Sequence, residues 1–249
     1  SGSLPVVASH TVHHGEEPPI SGIHGSGTIF FSGCTGRCIF CQNYPISQLG
    51  TGNEITEKQL AEMMLGLQDR GCHNINLVTP THFSPSIVSA LAYACERGFS
   101  LPIVYNTSGY ERPEIIELLD GIVDIYLPDA KYSDDITAKE LSGFNHYTKF
   151  NIDSLKEMYR QVGDLVTFNG IAVKGLVIRH MLLPEGLAGS EAVFHKIADE
   201  LSSTVHVSLM DQYFPAFHAH NHPTVSRRIT EEEYEEAIVL FEQAGLKNG

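Results

Sequence analysis

Gly27-Thr-Ile-Phe-Phe-Ser-Gly-Cys-Thr-Gly-Arg-Cys-Ile-Phe-Cys-Gln-Asn43 joins an apolar run directly to a dense group of thiols. Residues 27–33 read as a strand buried on both faces, the pattern of a parallel strand covered by helices. The strand delivers Cys34 into a loop, where Cys38 and Cys41 complete a C-x3-C-x2-C spacing. Gly33 and Gly36 let the backbone bend closely around a bulky inorganic centre. Three thiolates are one short of closing a tetrahedral zinc site or a four-iron cluster. The missing ligand leaves one metal position open for water or substrate. The competing reading is a structural zinc completed by one of the 13 histidines.

Outward from this stretch, short apolar runs alternate with helical patterns. Strands are expected at 27–33, 75–79, 101–106, 122–127, 173–183 and 205–210. Thr56 with Gln59 forms a capping box for a helix stopped by Gly71. Ser84-Pro85 opens the next helix and Gly98 stops it; Pro113 to Gly121 bounds a third. Residues 152–162 and 190–202 carry further apolar stripes, and Thr230 with Glu233 caps a last helix running to about Ala244. Cys72, before a strand, and Cys95, on the apolar side of its helix, read as ordinary buried thiols. The six units average about 37 residues each, a normal βα length. The fold class is α/β with parallel strands; an open sheet and a barrel both satisfy the pattern, but six units are too few for an eight-stranded barrel.

Residues 1–26 read as an extended lead-in without periodicity, and 27–249 as one domain. Within the lead-in, His10, His13, His14 and His24 read as a surface loop. Gly15-Glu16-Glu17-Pro18-Pro19 resembles a ligand-binding string but precedes the first strand, so it is set aside. His218, His220 and His222 are set aside as turn residues. Ser1-Gly2-Ser3 has the composition of a vector remnant, which leaves the natural N-terminus open.

Parallel α/β folds bind ligands at the C-terminal ends of their strands. The strand ends here carry the three cysteines, then Thr79-Pro-Thr-His82, Asn106-Thr-Ser-Gly109, Asp129-Ala-Lys131, Arg179-His180 and Asp211-Gln-Tyr213. Asp129 and Lys131 suit either a functional pair or a plain loop ion pair, and Asn106 to Gly109 suits a turn equally well.

Lys and Arg number 16 against 30 Asp and Glu, a net charge of −14. Such a chain lacks the basic face that nucleic acid or an anionic membrane requires. No run approaches the length of a membrane span, and no basic residue precedes Arg37, so a cytoplasmic protein is expected.

Residues 27–43 resemble the signature of the radical S-adenosylmethionine superfamily, and more narrowly the pyruvate formate-lyase activating enzyme group. The aromatic before the last cysteine is Phe40, and Gln42-Asn43 follow. Weaker similarity runs through Asn106-Thr-Ser-Gly109, Asp129-Ala-Lys131 and Ile178-Arg179. The resemblance implies a partial (β/α)6 TIM-type barrel. It implies a [4Fe–4S] cluster on Cys34, Cys38 and Cys41, whose fourth iron binds S-adenosylmethionine. Reduction would then yield methionine and a 5′-deoxyadenosyl radical that abstracts hydrogen. Phe40 and Asn43 would lie beside the adenine. Asp129 and Lys131 would reach the ribose or carboxylate, with Asn106, Ser108, Arg179 and Gln212 around the cofactor. A monovalent cation is implied near Asn106, Thr107 and Asp129, where the family's first Asp is Asn106 here. The superfamily's Gly-Gly-Glu is replaced by Thr79-Pro-Thr-His82, with Thr79 the nearest substitute. The family's late His is replaced by Gln212 or Tyr213.

The implied partners are a glycyl-radical enzyme as protein substrate and a reductant such as flavodoxin or ferredoxin. Radical modification of another peptide or small molecule, and a non-catalytic iron–sulfur or zinc module, are the alternatives.

Overall fold

The computed structural model describes residues 4–249; residues 1–3, the remnant-like Ser-Gly-Ser, lie outside the described residues. Six parallel strands form its centre: β2 (Ser26–Phe31), β4 (Ile75–Val78), β5 (Ile103–Thr107), β6 (Ile125–Pro128), β8 (Ile171–Met181) and β9 (His206–Met210). They pair in that order, each parallel to the next. These are the six runs expected from the sequence. The sheet does not close on itself, so the fold is a partial (β/α)6 barrel.

Three further strands extend it. β1 (Val6–His13) pairs antiparallel with β2, and β3 (Asn53–Glu54) pairs with β1. Part of the expected lead-in is therefore an edge strand, with His10 and His13 in its ladder rather than in a loop. Its outer side chains are polar and solvated, so apolar periodicity could not reveal it. β7 (Val166–Phe168) forms a hairpin with β8 across Asn169-Gly170, both at positive φ. Asn-Gly is the usual sequence signal for such a turn.

Strand alternation sorts the core into two sides. Ile75, Leu77, Ile103, Tyr105, Leu176 and Ile178 face the helices. Val104, Ile125, Leu127 and Val177 face inward, where they pack around Ile20. Ile20 lies on the short helix α1 (Pro18–Ser21) and is fully buried. Burial of that one side chain contributes roughly 2–3 kcal/mol, enough to seat the segment that carries Glu16 inside the barrel.

The covering helices are α3 (Glu57–Asp69), α4 (Ser84–Cys95), α5 (Pro113–Glu117), α6 (Asp135–Ser142), α7 (Tyr147–Val162), α8 (Ser190–Glu200) and α9 (Glu231–Gln243); α2 (Tyr44–Ser47) follows the cysteine loop. Both expected capping boxes form, Thr56 with Gln59 and Thr230 with Glu233. α6 was not expected; Asp134 caps it by accepting from the Ile136 and Thr137 amides, and Gly143 ends it in the left-handed region. α7 begins five residues before the expected 152, at Tyr147. Cys72 is buried, but Cys95 is exposed. The buried stripe of α4 runs through Ile87, Ala90, Leu91 and Ala94, so Cys95 in its last turn points away. No helix among the described residues is long and apolar enough to cross a membrane.

Candidate active site

The cysteine loop leaves β2 at the C-terminal end of the parallel sheet and is fastened on three sides. The Arg37 and Ile39 amides donate to the Ser142 and Leu141 carbonyls at the end of α6, both at 2.8 Å. The His218 amide donates to the Ile39 carbonyl at 2.8 Å, and the Gly33 amide to Ile46 of α2 at 3.1 Å. Gly33 adopts a φ of 86°, and a Cβ on Gly36 would stand 2.8 Å from the Phe144 ring. The bend at Gly33 thus needs a left-handed residue and Gly36 admits no side chain.

Each cysteine sulfur has a polar neighbour. The Gly36 amide donates to Cys34 Sγ at 3.3 Å and the Ser142 hydroxyl to Cys38 Sγ at 2.9 Å, while Ser47 Oγ lies 3.1 Å from Cys41 Sγ. Burial pushes the Cys34 thiol up to about 11 despite the Gly36 amide. Burial also raises Cys38, against the pull of the Lys131 ammonium and Ser142. Buried thiols fringed by N–H and O–H donors and a nearby ammonium are costly as free thiolates but suit metal-bound ones, whose charge the metal compensates. Among the described residues no three His, Cys, Asp or Glu side chains converge on a single-ion site. A cluster does not need that convergence, because each cysteine binds a different iron. The donor set therefore fits a [4Fe–4S] cluster.

Beside the loop, the ends of β5, β6 and β8 place four charged or polar side chains in one network. Lys131 Nζ lies 2.6 Å from Asp129 Oδ2. Arg179 Nε donates to Asp129 Oδ1 at 2.9 Å, and its Nη2 donates to Asn106 Oδ1 at 2.7 Å. Arg179 Nη1 also lies 3.7 Å from Glu16 Oε2. Burial opposes the charge on Asp129, but Arg179 and Lys131 outweigh it and hold the carboxyl below its usual range. Burial likewise opposes the charge on Lys131, and Asp129 and Cys38 outweigh it. The charges are thus mutually sustained in a dry setting, where an unpaired one would be expensive.

Backbone contacts fix this network. Asn151 Nδ2 donates to the Gly109 and Asp129 carbonyls, each at 2.9 Å. Gly109 has a φ of 68°, and a Cβ there would collide with the Asp129 carbonyl oxygen. The Lys131 amide donates to the Tyr147 hydroxyl at 2.7 Å. Tyr132 and Tyr147, both buried, pack with Phe144 along the Cys38 side.

The expected residues fall into groups. Asn106, Asp129, Lys131 and Arg179 meet directly, with Cys38 within electrostatic reach. Thr79 joins them through its amide, which donates to the Asn106 carbonyl at 2.8 Å. Its φ of 58° is rare for a β-branched residue and is one that glycine adopts freely. Phe40 is buried edge-on against Tyr213, with ring centroids 5.7 Å apart. Asn43 is exposed at the N-terminus of α2, and Gln212 is exposed with its carbonyl accepting from Gln42 Nε2 at 3.4 Å. Ser108 lies half-buried at the turn after β5.

Sequence reading set Glu16 aside, missed Asn76 and named His180 only as a strand-end residue. Glu16, set aside for its position before the first strand, reaches Arg179 because α1 folds into the barrel. Asn76 is fully buried on β4 with neither side-chain polar atom hydrogen-bonded. His180 is buried between the Ala130 carbonyl and Ser190, and burial lowers its pKa to about 4. The one available signal was a polar residue inside an otherwise apolar strand, which Asn76 and His180 both show.

The sequence matches the Radical SAM superfamily over residues 28–183. An uncharacterized protein of Methanocaldococcus jannaschii is 32% identical over 247 residues, covering 94% of this chain. The chain spans 66% of that relative's own length. Among solved structures, TYW1 with a lysine-pyruvate adduct bound superposes with a TM-score of 0.57 at 15% identity, covering 91% of this chain and 76% of that one. The FeFe-hydrogenase maturase HydG from Carboxydothermus hydrogenoformans gives 0.56 at 13% identity over 86% of this chain and 49% of its own. Methylornithine synthase gives 0.55 at 13% identity over 88% and 69%. At these identities the structural likeness speaks for the fold. The superfamily match covers more than half of the chain, including the cysteine loop and the ends of β4, β5, β6 and β8. The chain belongs to the radical SAM superfamily, whose cofactors are a [4Fe–4S] cluster and S-adenosylmethionine.

Proposed function

We propose that Cys34, Cys38 and Cys41 ligate three irons of the cluster and that the strand ends beside them hold S-adenosylmethionine. When bound and reduced, the cluster supplies the electron that splits S-adenosylmethionine into methionine and a 5′-deoxyadenosyl radical. The observation that carries the reading is the Asp129–Lys131–Arg179 network, buried within electrostatic reach of Cys38. Charged side chains fixed by one another give a zwitterionic ligand oriented partners that need no rearrangement. Asp129 and Lys131 serve the ribose and carboxylate, with Asn106, Ser108, Arg179 and Gln212 around them. Thr79 stands where an amino group would be met, and Phe40 and Asn43 flank the adenine. The monovalent cation expected beside Asn106, Thr107 and Asp129 is not part of the proposal, because Arg179 and Lys131 already pair with Asn106 and Asp129 and the Thr107 hydroxyl turns to Glu111 on the other face of the sheet. Phe144, Tyr132 and Tyr147 exclude water from the Cys38 side.

The hydrogen donor in this reading is a glycine of a partner enzyme, as the resemblance of residues 27–43 to activating enzymes suggests. The net charge of −14 favours docking of a basic loop. A one-electron donor of the flavodoxin or ferredoxin type supplies the reducing equivalent, and the cytoplasm is the compartment that suits this chemistry.

The test is anaerobic reconstitution with iron and sulfide, then dithionite and S-adenosylmethionine, with 5′-deoxyadenosine read by mass. Product is expected from the native chain and not from Cys38→Ala, which should also fail to bind iron. Cys72→Ala should retain both. Bound zinc with neither iron nor sulfide after anaerobic preparation, or equal iron loss in both variants, would overturn the assignment.

A further inference from the structure

Two of the loop cysteines face a serine hydroxyl brought by another element, and each serine is itself held by a second donor. The Ser142 hydroxyl donates to Cys38 Sγ at 2.9 Å, and the Tyr132 hydroxyl lies 2.6 Å from Ser142 Oγ. Ser47 Oγ lies 3.1 Å from Cys41 Sγ, and Gln48 Nε2 donates to Ser47 Oγ at 3.2 Å. Ser142 and Tyr132 are both buried. Ser142 closes α6, 104 residues from Cys38, and its carbonyl accepts the Arg37 amide at 2.8 Å. Backbone thus fixes its hydroxyl against the loop. A helical serine commonly returns its hydroxyl to a carbonyl one turn back; this one turns to the sulfur.

Proton counting orders both chains. A metal-bound cysteine is a thiolate and only accepts, and each hydroxyl has one proton. Ser142 therefore gives its proton to Cys38, and its oxygen accepts from Tyr132. By the same count Ser47 donates to Cys41 and accepts from Gln48. Donors linked in this way polarise one another, most strongly in a buried setting. Cys34 is served by the Gly36 amide of its own loop at 3.3 Å, a longer contact.

We propose, resting on the assignment of the cluster to Cys34, Cys38 and Cys41, that the Tyr132–Ser142 and Gln48–Ser47 relays set the cluster's reduction potential, with Ser142 the dominant member. Reduction adds one electron and moves no atom, so negative charge on the sulfurs grows. Donors aimed at those sulfurs favour the reduced form and raise the potential. Ser142 acts through Cys38 Sγ and is a positioning residue.

The test is potentiometric titration of the anaerobically reconstituted full chain with dithionite and mediator dyes, without S-adenosylmethionine. The reduced cluster is read by electron paramagnetic resonance, and iron and sulfide are counted in every variant. Ser142→Ala should keep the cluster and lower the ratio of reduced to oxidised form at a fixed potential about tenfold, which is about 59 mV for one electron. Tyr132→Phe should lower that ratio about threefold, through lost polarisation alone. The double variant should match Ser142→Ala, because Tyr132 acts through Ser142. Ser47→Ala should shift the ratio the same way by a smaller factor, since Ser47 is half-buried and water can take its place. Should Ser142→Ala lose its cluster, Tyr132→Phe and Ser47→Ala decide. Loaded variants at the native potential, an upward shift, or additive effects in the double variant overturn the proposal. A purely structural role would change cluster content or unfolding and leave the potential of the loaded fraction unmoved. A native chain that takes up neither iron nor sulfide fails the cluster assignment itself, and the inference with it.

Discussion

The two sides of β5 handle buried charge in opposite ways. On the inner side Asp129 is flanked by Lys131 at 2.6 Å and Arg179 at 2.8 Å, and its carboxyl is held below the usual range. On the outer side Glu111 has only two threonine hydroxyls, and burial carries its pKa to about 7. Both carboxyls are buried, so depth does not distinguish them. The difference is the presence of cations: desolvation acts on both, and only the inner site compensates it. Compensated charge suits a preorganised cradle for a charged cofactor. An uncompensated carboxyl instead keeps its proton to higher pH.

The largest expected effect comes from breaking the inner side. Asp129→Asn leaves Arg179 and Lys131 buried without their counter-charge and should cost about 3–5 kcal/mol in chemical denaturation. A loss under about 1 kcal/mol would mean the network is wetter than its burial indicates. Glu111 gives the next effect, and its sign follows from linkage. Its folded pKa is raised from the ordinary 4.5 to about 7, so its contribution to stability is full below pH 4.5 and is lost as pH rises through 7. The full loss is about 3 kcal/mol, an order-of-magnitude figure. Glu111→Gln should flatten the decline between pH 5 and 7; a profile unchanged by the substitution would contradict the assignment.

Two smaller changes sharpen the contrast. Gly109→Ala places a side chain against the Asp129 carbonyl at positive φ and should cost about 1–3 kcal/mol while shifting the inner network. Its effect should therefore appear in S-adenosylmethionine affinity as well as in the melting curve. Thr81→Val removes one donor to Glu111 and should cost about 1 kcal/mol above pH 7, where the carboxylate most needs that donor. Below pH 5 the cost should shrink, which differential scanning at the two pH values reads directly.

Much of this fold was legible in the chain. The six parallel strands are apolar on both faces, and both capping boxes follow from residues three apart. What escaped was supported from elsewhere. β1 is polar on its outer side and exists because β2 offers a free edge, and α6 is only eight residues long, too short for its apolar period to stand out. Cys95 was misplaced because the buried stripe of α4 follows Ala94, a choice made by the sheet beneath. At the site, the cysteine loop, Asp129, Lys131, Asn106 and Arg179 could be named from strand-end position alone, but not their mutual pairing.

The sequence by itself determined the parallel α/β frame, the three-thiol loop and the polar strand ends, because period and spacing are local properties. Only the tertiary structure decided that Glu16, ahead of the first parallel strand, would turn inward to Arg179, since that depends on Ile20 filling the barrel. It alone decided that Asp129 would be paired and Glu111 left without a cation. Charge compensation depends on distances through space, and those are fixed only when strands far apart in the chain are laid side by side.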